Sequence, residues 1–82
     1  MDHRIAVIGL GYVGLPLAAA FSEKYTVLAY DNDSKRVLEL NHGLDRIEQM
    51  TKSDLVRLQA RLIFSDNSES LSDCNIFIIT VP

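Results

Sequence analysis

The chain has 82 residues, 48% of them hydrophobic and 23% charged, with a net charge of −3 and a pI near 5.1. That suits one small globular domain with no room for a second, and an acidic balance without a Lys/Arg run argues against a nucleic-acid partner. No apolar stretch approaches the roughly 18 residues of a membrane span, glycines break the N-terminal one so that it is no signal peptide, and a single cysteine, Cys74, allows no internal disulfide, which fits a reducing cytoplasm.

Arg4 to Ile8 reads as a first strand, and its apolar continuity predicts burial on both faces, as in a parallel sheet. An alanine-rich helix is expected from about Gly11 to Ser22, with Val13, Leu17, Ala20 and Phe21 sharing one face. Pro16 removes one backbone donor and crowds the carbonyl of Tyr12, so a slight bend or a loosened first turn is expected. A second strand spans Thr26 to Tyr30. A second helix runs from about Ser34 to Asn41, capped by Asp33 or Ser34 and stopped near Gly43.

After a less regular stretch, Leu44 to Met50, Thr51 and Asp54 have the spacing of a capping box that opens a third helix. Leu55, Leu58 and Leu62 give that segment an apolar face, and a short strand is expected over about Leu62 to Ser65. Asp66 to Asn75 is a polar crossover with one helical turn at Ser68 to Leu71, before the strand-like run Ile76 to Val81. Four strands separated by helices or crossovers predict a Rossmann-like α/β fold with a parallel sheet in the order 3-2-1-4.

The informative motif joins the first strand to the first helix. Gly9-Leu10-Gly11-Tyr12-Val13-Gly14 fits G-x-G-x-x-G, and Asp31 ends the second strand 17 positions beyond Gly14. Glycine triplet and acid together, in strand–helix–strand context, form a dinucleotide-binding fingerprint. Gly9 allows a sharp turn, Gly11 lets a pyrophosphate approach the backbone, and Gly14 lets the helix pack closely on the sheet. The N–H groups near Gly11, Tyr12 and Val13 then face the anion at the positive end of the helix dipole.

Asp31 is expected to accept hydrogen bonds from the adenosine ribose, which favours NAD over NADP. Its structural alternative is to start the Asp31-Asn32-Asp33-Ser34 turn and cap the next helix. Tyr12 is expected to pack, its backbone N–H mattering more than its ring. No His/Cys/Asp/Glu cluster has metal spacing, and neither His3 nor His42 has the setting of a catalytic base. Glu48 reads as an exposed loop carboxylate.

The segment Ile5-Ala6-Val7-Ile8-Gly9-Leu10-Gly11-Tyr12-Val13-Gly14-Leu15-Pro16-Leu17-Ala18 resembles the opening of the UDP-glucose/GDP-mannose dehydrogenase family. Asp31 with Arg36-Val37, Asn41-x-Gly43, and Ile78-Ile79-Thr80-Val81-Pro82 agree with it. The stretch Gly43-Leu44-Asp45-Arg46-Ile47-Glu48 is more similar to the branch that oxidises UDP-N-acetylhexosamines, including enzymes of Vi-type and other surface-polysaccharide pathways.

The resemblance implies an NAD-binding part of a cytoplasmic enzyme that oxidises a nucleotide-sugar C6 alcohol to a carboxylate with two NAD. In that reaction a cysteine thiolate traps the aldehyde and a thioester is hydrolysed. The catalytic residues would lie beyond Pro82, so the chain is expected to be a partial domain, inactive alone and without catalytic residues of its own. Cys74 does not match the catalytic cysteine and reads as a small buried thiol.

The resemblance also implies that Arg36 reaches the adenine ribose or phosphate side of NAD, the alternative being a solvated helix face shared with Lys35. Thr80 and Val81 would flank the nicotinamide-side ribose, although Thr80 could equally be an ordinary strand residue. Ile76 to Ile79 would lie at or near an open sheet edge, so a homo-oligomer is expected. Two other readings stay open: a β-hydroxyacid-type dehydrogenase, and a non-catalytic NAD(H)-sensing module, since the fingerprint encodes binding and not chemistry.

Overall fold

The apolar run at the start of the chain becomes the middle of the sheet. In the computed structural model, which describes residues 3–48 and 50–80, β1 is Ile5–Ile8, with Ala6 and Val7 fully buried. β2 (Val27–Tyr30), β3 (Leu62–Ser65) and β4 (Ile76–Ile79) complete a four-stranded parallel sheet in the order β3-β2-β1-β4. β1 pairs with β2 from Ile5↔Val27 to Ile8↔Tyr30 and with β4 from Ile5↔Ile76 to Ile8↔Ile79. The expected order is therefore the observed one, and β1 reads as continuously apolar because its successive side chains Ile5, Ala6 and Val7, which point to opposite faces of the sheet, are all buried.

The helices α1 (Gly14–Ser22), α2 (Ser34–Asn41) and α3 (Lys52–Leu58), with a 3-10 helix at Ser68–Asp73, supply the connections. Leu10, Leu15, Ala18, Leu40, Leu55 and Leu58 join the buried faces of β1, β2 and β3 in one core. Fully burying a leucine stabilises a fold by about 1.5–3 kcal/mol, so these few side chains carry much of the drive to fold.

Two expectations about α1 are corrected. The buried face is Gly14, Leu15, Ala18 and Ser22, whereas Val13 is exposed and Ala20 faces solvent. The segment is apolar on nearly every side, so periodicity cannot select a face. The helix also begins at Gly14, three residues later than expected. Leu15 and Leu17 donate to the Gly11 and Val13 carbonyls at 3.2 Å each, but Pro16 between them has no N–H for the Tyr12 carbonyl, so the turn that leads into Gly14 is loosened, the second of the two effects expected of Pro16.

α2 is capped by Asp33, whose carboxylate accepts the N–H groups of Lys35 and Arg36 at 3.1 and 3.3 Å. Its end is a glycine stop. Gly43 has φ +79°, and Leu44 donates back to the Glu39 carbonyl at 2.9 Å. α3 opens with the expected capping box: Asp54 N–H donates to Thr51 Oγ1, and Thr51 N–H donates to Asp54 Oδ2, both at 3.1 Å. Cys74 ends the 3-10 helix half-buried, and desolvation, with the charge of Asp73 next, pushes its thiol pKa up. At the far edge, Phe77 and Ile79 on β4 are 51% and 67% exposed.

The strongest packing constraint is at Gly14. A Cβ there would collide with the Gly9 carbonyl oxygen and sit 2.5 Å from Thr80 Oγ1. Replacing Gly14 by alanine is expected to destabilise the fold by about 1–3 kcal/mol or more, read as a lowered urea midpoint; an unchanged midpoint would contradict this packing. The capping box makes a pH prediction. Asp54 has its pKa lowered below the ordinary 3.8, mainly by the Thr51 backbone N–H and then by the Thr51 hydroxyl, with a smaller contribution from Arg57. Its stabilisation is therefore present above the unfolded value and is lost as pH falls through the folded one. Asp54→Asn is expected to flatten the acid side of the melting-temperature profile; an unaltered acid limb would refute the coupling.

Candidate functional site

The turn after β1 is built by glycine and held by side chains from β2 and α2. Gly9 has φ +100° and donates to the Tyr30 carbonyl at 2.9 Å, carrying the β1–β2 pairing one step beyond the strands. The next residue, Leu10, is held through both of its backbone polar groups. Its N–H donates to Asp31 Oδ2 at 2.9 Å, and its carbonyl accepts Arg36 Nε at 2.9 Å. The Leu10 side chain is buried at the same time.

Beyond Leu10 the chain is open. A Cβ on Gly11 would meet nothing within 4 Å. Tyr12 and Val13 are 69% and 66% exposed, so the packing role expected of Tyr12 is corrected: its ring stands in solvent because the turn carries it off the sheet. Val13 caps α1 without a side-chain acceptor, and no acidic residue lies in the first turn. Among the described residues, the N–H groups of Tyr12, Val13 and Gly14 have no acceptor. Free N–H groups at the positive end of a helix suit an anion.

Asp31 sits at the mouth of the same turn. It is partly exposed, and its Oδ1 accepts the Asp33 N–H at 2.9 Å while Oδ2 accepts Leu10. It therefore starts the turn into α2, but Asp33 is the residue that caps the helix. Each carboxylate oxygen accepts one backbone N–H and retains a second lone-pair site for another donor.

Arg36 is not on a solvated face; that alternative is overturned by its 5% exposure. Its Nη1 donates to Asp45 Oδ1 at 2.7 Å, and its buried Nη2 has no hydrogen-bond partner among the described residues. Thr80 lies opposite, its N–H donating to the Ile8 carbonyl at 2.8 Å and its hydroxyl lying 2.7 Å from the Gly9 carbonyl oxygen. Val81 lies outside the described residues.

These pieces enclose a groove of about 800 Å³, within the range of small-molecule and cofactor sites. Its walls run from Ile8 to Val13, from Tyr30 to Asp33, and across to Arg36, Arg46, Ile47 and Thr80. Gly9, Gly11, Tyr12, Val13, Asp31, Arg36 and Thr80 thus all line it, whereas Gly14 is buried beneath. A smaller hollow of about 320 Å³ between α2, α3 and β3 shares no residue with the groove. Sequence reasoning missed Asp45, Arg46 and Ile47 as site residues. The available signal was an acid followed by a polar, turn-rich stretch, the setting of a carboxylate that binds its own downstream backbone.

Comparison with known proteins agrees with this geometry. Residues 3–82 match the NAD binding domain of the UDP-glucose/GDP-mannose dehydrogenase family. A UDP-N-acetyl-D-glucosamine 6-dehydrogenase of Pseudomonas aeruginosa is 43% identical over 99% of this chain and 19% of its own length. The Salmonella typhi enzyme of the same name is 46% identical over the same shares. A UDP-D-ManNAc dehydrogenase structure from Pyrococcus horikoshii superposes with a TM-score of 0.86 at 39% identity, over 95% of this chain and 20% of that one. The chain spans about a fifth of the length of these relatives. The described glycine turn and acid, the sheet order and these likenesses converge: the chain belongs to the UDP-glucose/GDP-mannose dehydrogenase family, through its NAD-binding domain.

Proposed function

We propose that this chain holds the adenosine diphosphate portion of NAD for an enzyme that oxidises a UDP-N-acetylhexosamine at C6 to the carboxylate with two NAD, in cytoplasmic supply of surface polysaccharide. The observation that carries the reading is the placement of Asp31 against the glycine turn, beside the unpaired N–H groups of α1. The residues fit the cofactor: Gly11 leaves open space where a pyrophosphate would approach, and the groove has the right volume. NAD supplies the hydride acceptor when bound.

The roles of the chain's own residues follow. The N–H groups of Tyr12, Val13 and Gly14 receive phosphate oxygens. Asp31 accepts the ribose hydroxyls and repels a 2′-phosphate. Arg36, which lines the groove, borders the ribose or phosphate side, and Thr80, with Val81, borders the nicotinamide-side ribose. Desolvation, with the Asp73 charge next, pushes the Cys74 thiol pKa up, which argues against Cys74 as the reacting cysteine. The nucleotide-sugar is the substrate of the whole enzyme, and the exposed apolar side chains of β4 are the basis for expecting self-association.

Calorimetric titration tests the reading. NAD is expected to bind more tightly than NADP. Asp31→Ala, which removes charged hydrogen bonds of about 1.5–3 kcal/mol each, is expected to weaken NAD by roughly tenfold or more and to narrow the NAD/NADP ratio. Equal affinities for the two nucleotides, or a variant that binds NAD unchanged, would defeat it.

A further inference from the structure

The α2–α3 connection is a wall of the groove, and one buried carboxylate organises it. Asp45 has a side chain with no solvent exposure. Its Oδ1 accepts Arg36 Nη1 at 2.7 Å and the Ile47 N–H at 3.2 Å, and its Oδ2 accepts the Met50 N–H at 2.9 Å. The first of these bonds reaches into α2. The other two tie the Ile47 and Met50 backbone to Asp45, and Arg46 and Ile47 lie along the groove.

Through Arg36 the same carboxylate reaches the glycine turn, because Arg36 Nε donates to the Leu10 carbonyl. A buried ion pair stabilises a fold little better than apolar side chains of similar size, since desolvation opposes the attraction. Breaking one partner, however, leaves an uncompensated charge. The pair is thus better suited to fixing geometry than to adding stability, and it spans the two walls of the groove.

We propose that Asp45 is a positioning residue for adenosine diphosphate binding: it sets the α2–α3 wall and, through Arg36, orients the Leu10 carbonyl at the glycine turn. The proposal rests on the cofactor reading above. Loss of the Asp45 charge releases Arg36 from Leu10 and lets the 45–50 wall recede. Asp31 holds the N–H of the same residue, on the adjoining peptide, so the two carboxylates are energetically coupled through the Leu10 backbone although they share no contact in the structure.

The test is a double-mutant cycle read by titration with ADP-ribose, which carries the adenosine diphosphate without nicotinamide. Asp45→Asn is expected to weaken binding by about tenfold or more. In the Asp31→Ala background the further loss is expected to fall below about threefold, because the Leu10 backbone has already lost its hold at the N–H. A residue that only stabilised the fold would give the same fold-loss in both backgrounds, and that result, or no loss in either, overturns the proposal. Asp45→Glu keeps the charge and displaces the loop by one methylene; it is expected to show the same non-additivity and serves where Asp45→Asn does not fold. Neither variant folding would make Asp45 a stability residue and overturn its positioning role. Failure of the unaltered protein to bind either NAD or ADP-ribose overturns the cofactor reading together with this proposal, whereas normal binding unaffected by Asp45 overturns this proposal alone.

Discussion

The backbone of Leu10 is the point on which the site depends. Asp31 holds its N–H from the end of β2, and Arg36 holds its carbonyl from α2. Both are hydrogen bonds to charged groups, each contributing about 1.5–3 kcal/mol where it is shielded from water. Together they fix the two successive peptide planes on either side of the Leu10 Cα, between two glycines that would otherwise leave the turn loose. Because Leu10 is followed by only three residues before α1, the orientation of its backbone bears on where the N–H groups of Tyr12, Val13 and Gly14 point.

The rest of the architecture serves this arrangement. β1 ends where the turn begins, buried between β2 and β4, so the turn starts from a rigid base. Gly14 lets α1 lie against the Gly9 carbonyl with no side chain between them, and Thr80 closes the other flank with its hydroxyl near the same carbonyl. Asp33 caps α2 and so sets the helix that carries Arg36. Sheet order, glycine packing and helix capping thus converge on one loop of six residues.

Much of this was legible in the sequence because several local signals agreed. The apolar run of β1, the glycine triplet and the acid at the end of β2 have a spacing that few other arrangements produce, and the strand order followed from the alternation of strands and helices. The caps of α2 and α3 were legible because Asp33, Gly43 and the Thr51/Asp54 pair act on backbone groups within a few residues. The face of α1 was not legible, since Leu15, Leu17, Ala18, Ala19 and Ala20 differ too little in polarity to mark an inside. The environment of Tyr12 was hidden because an aromatic ring reads as a core residue wherever it falls. Asp45 was hidden for another reason: its partner lies nine residues earlier on a different element, and only the fold of the 45–50 segment brings them together.

Amide hydrogen exchange at Leu10 in the ligand-free protein addresses the grip on that peptide most directly. A glycine-flanked loop amide open to solvent exchanges quickly, whereas one bonded to a carboxylate and shielded by a buried side chain is protected. The Leu10 amide is predicted to be protected, and Asp31→Ala is predicted to abolish that protection while the β1 amides keep theirs. A Leu10 amide that exchanges as fast as an open loop, or one whose protection survives the loss of Asp31, would contradict the account.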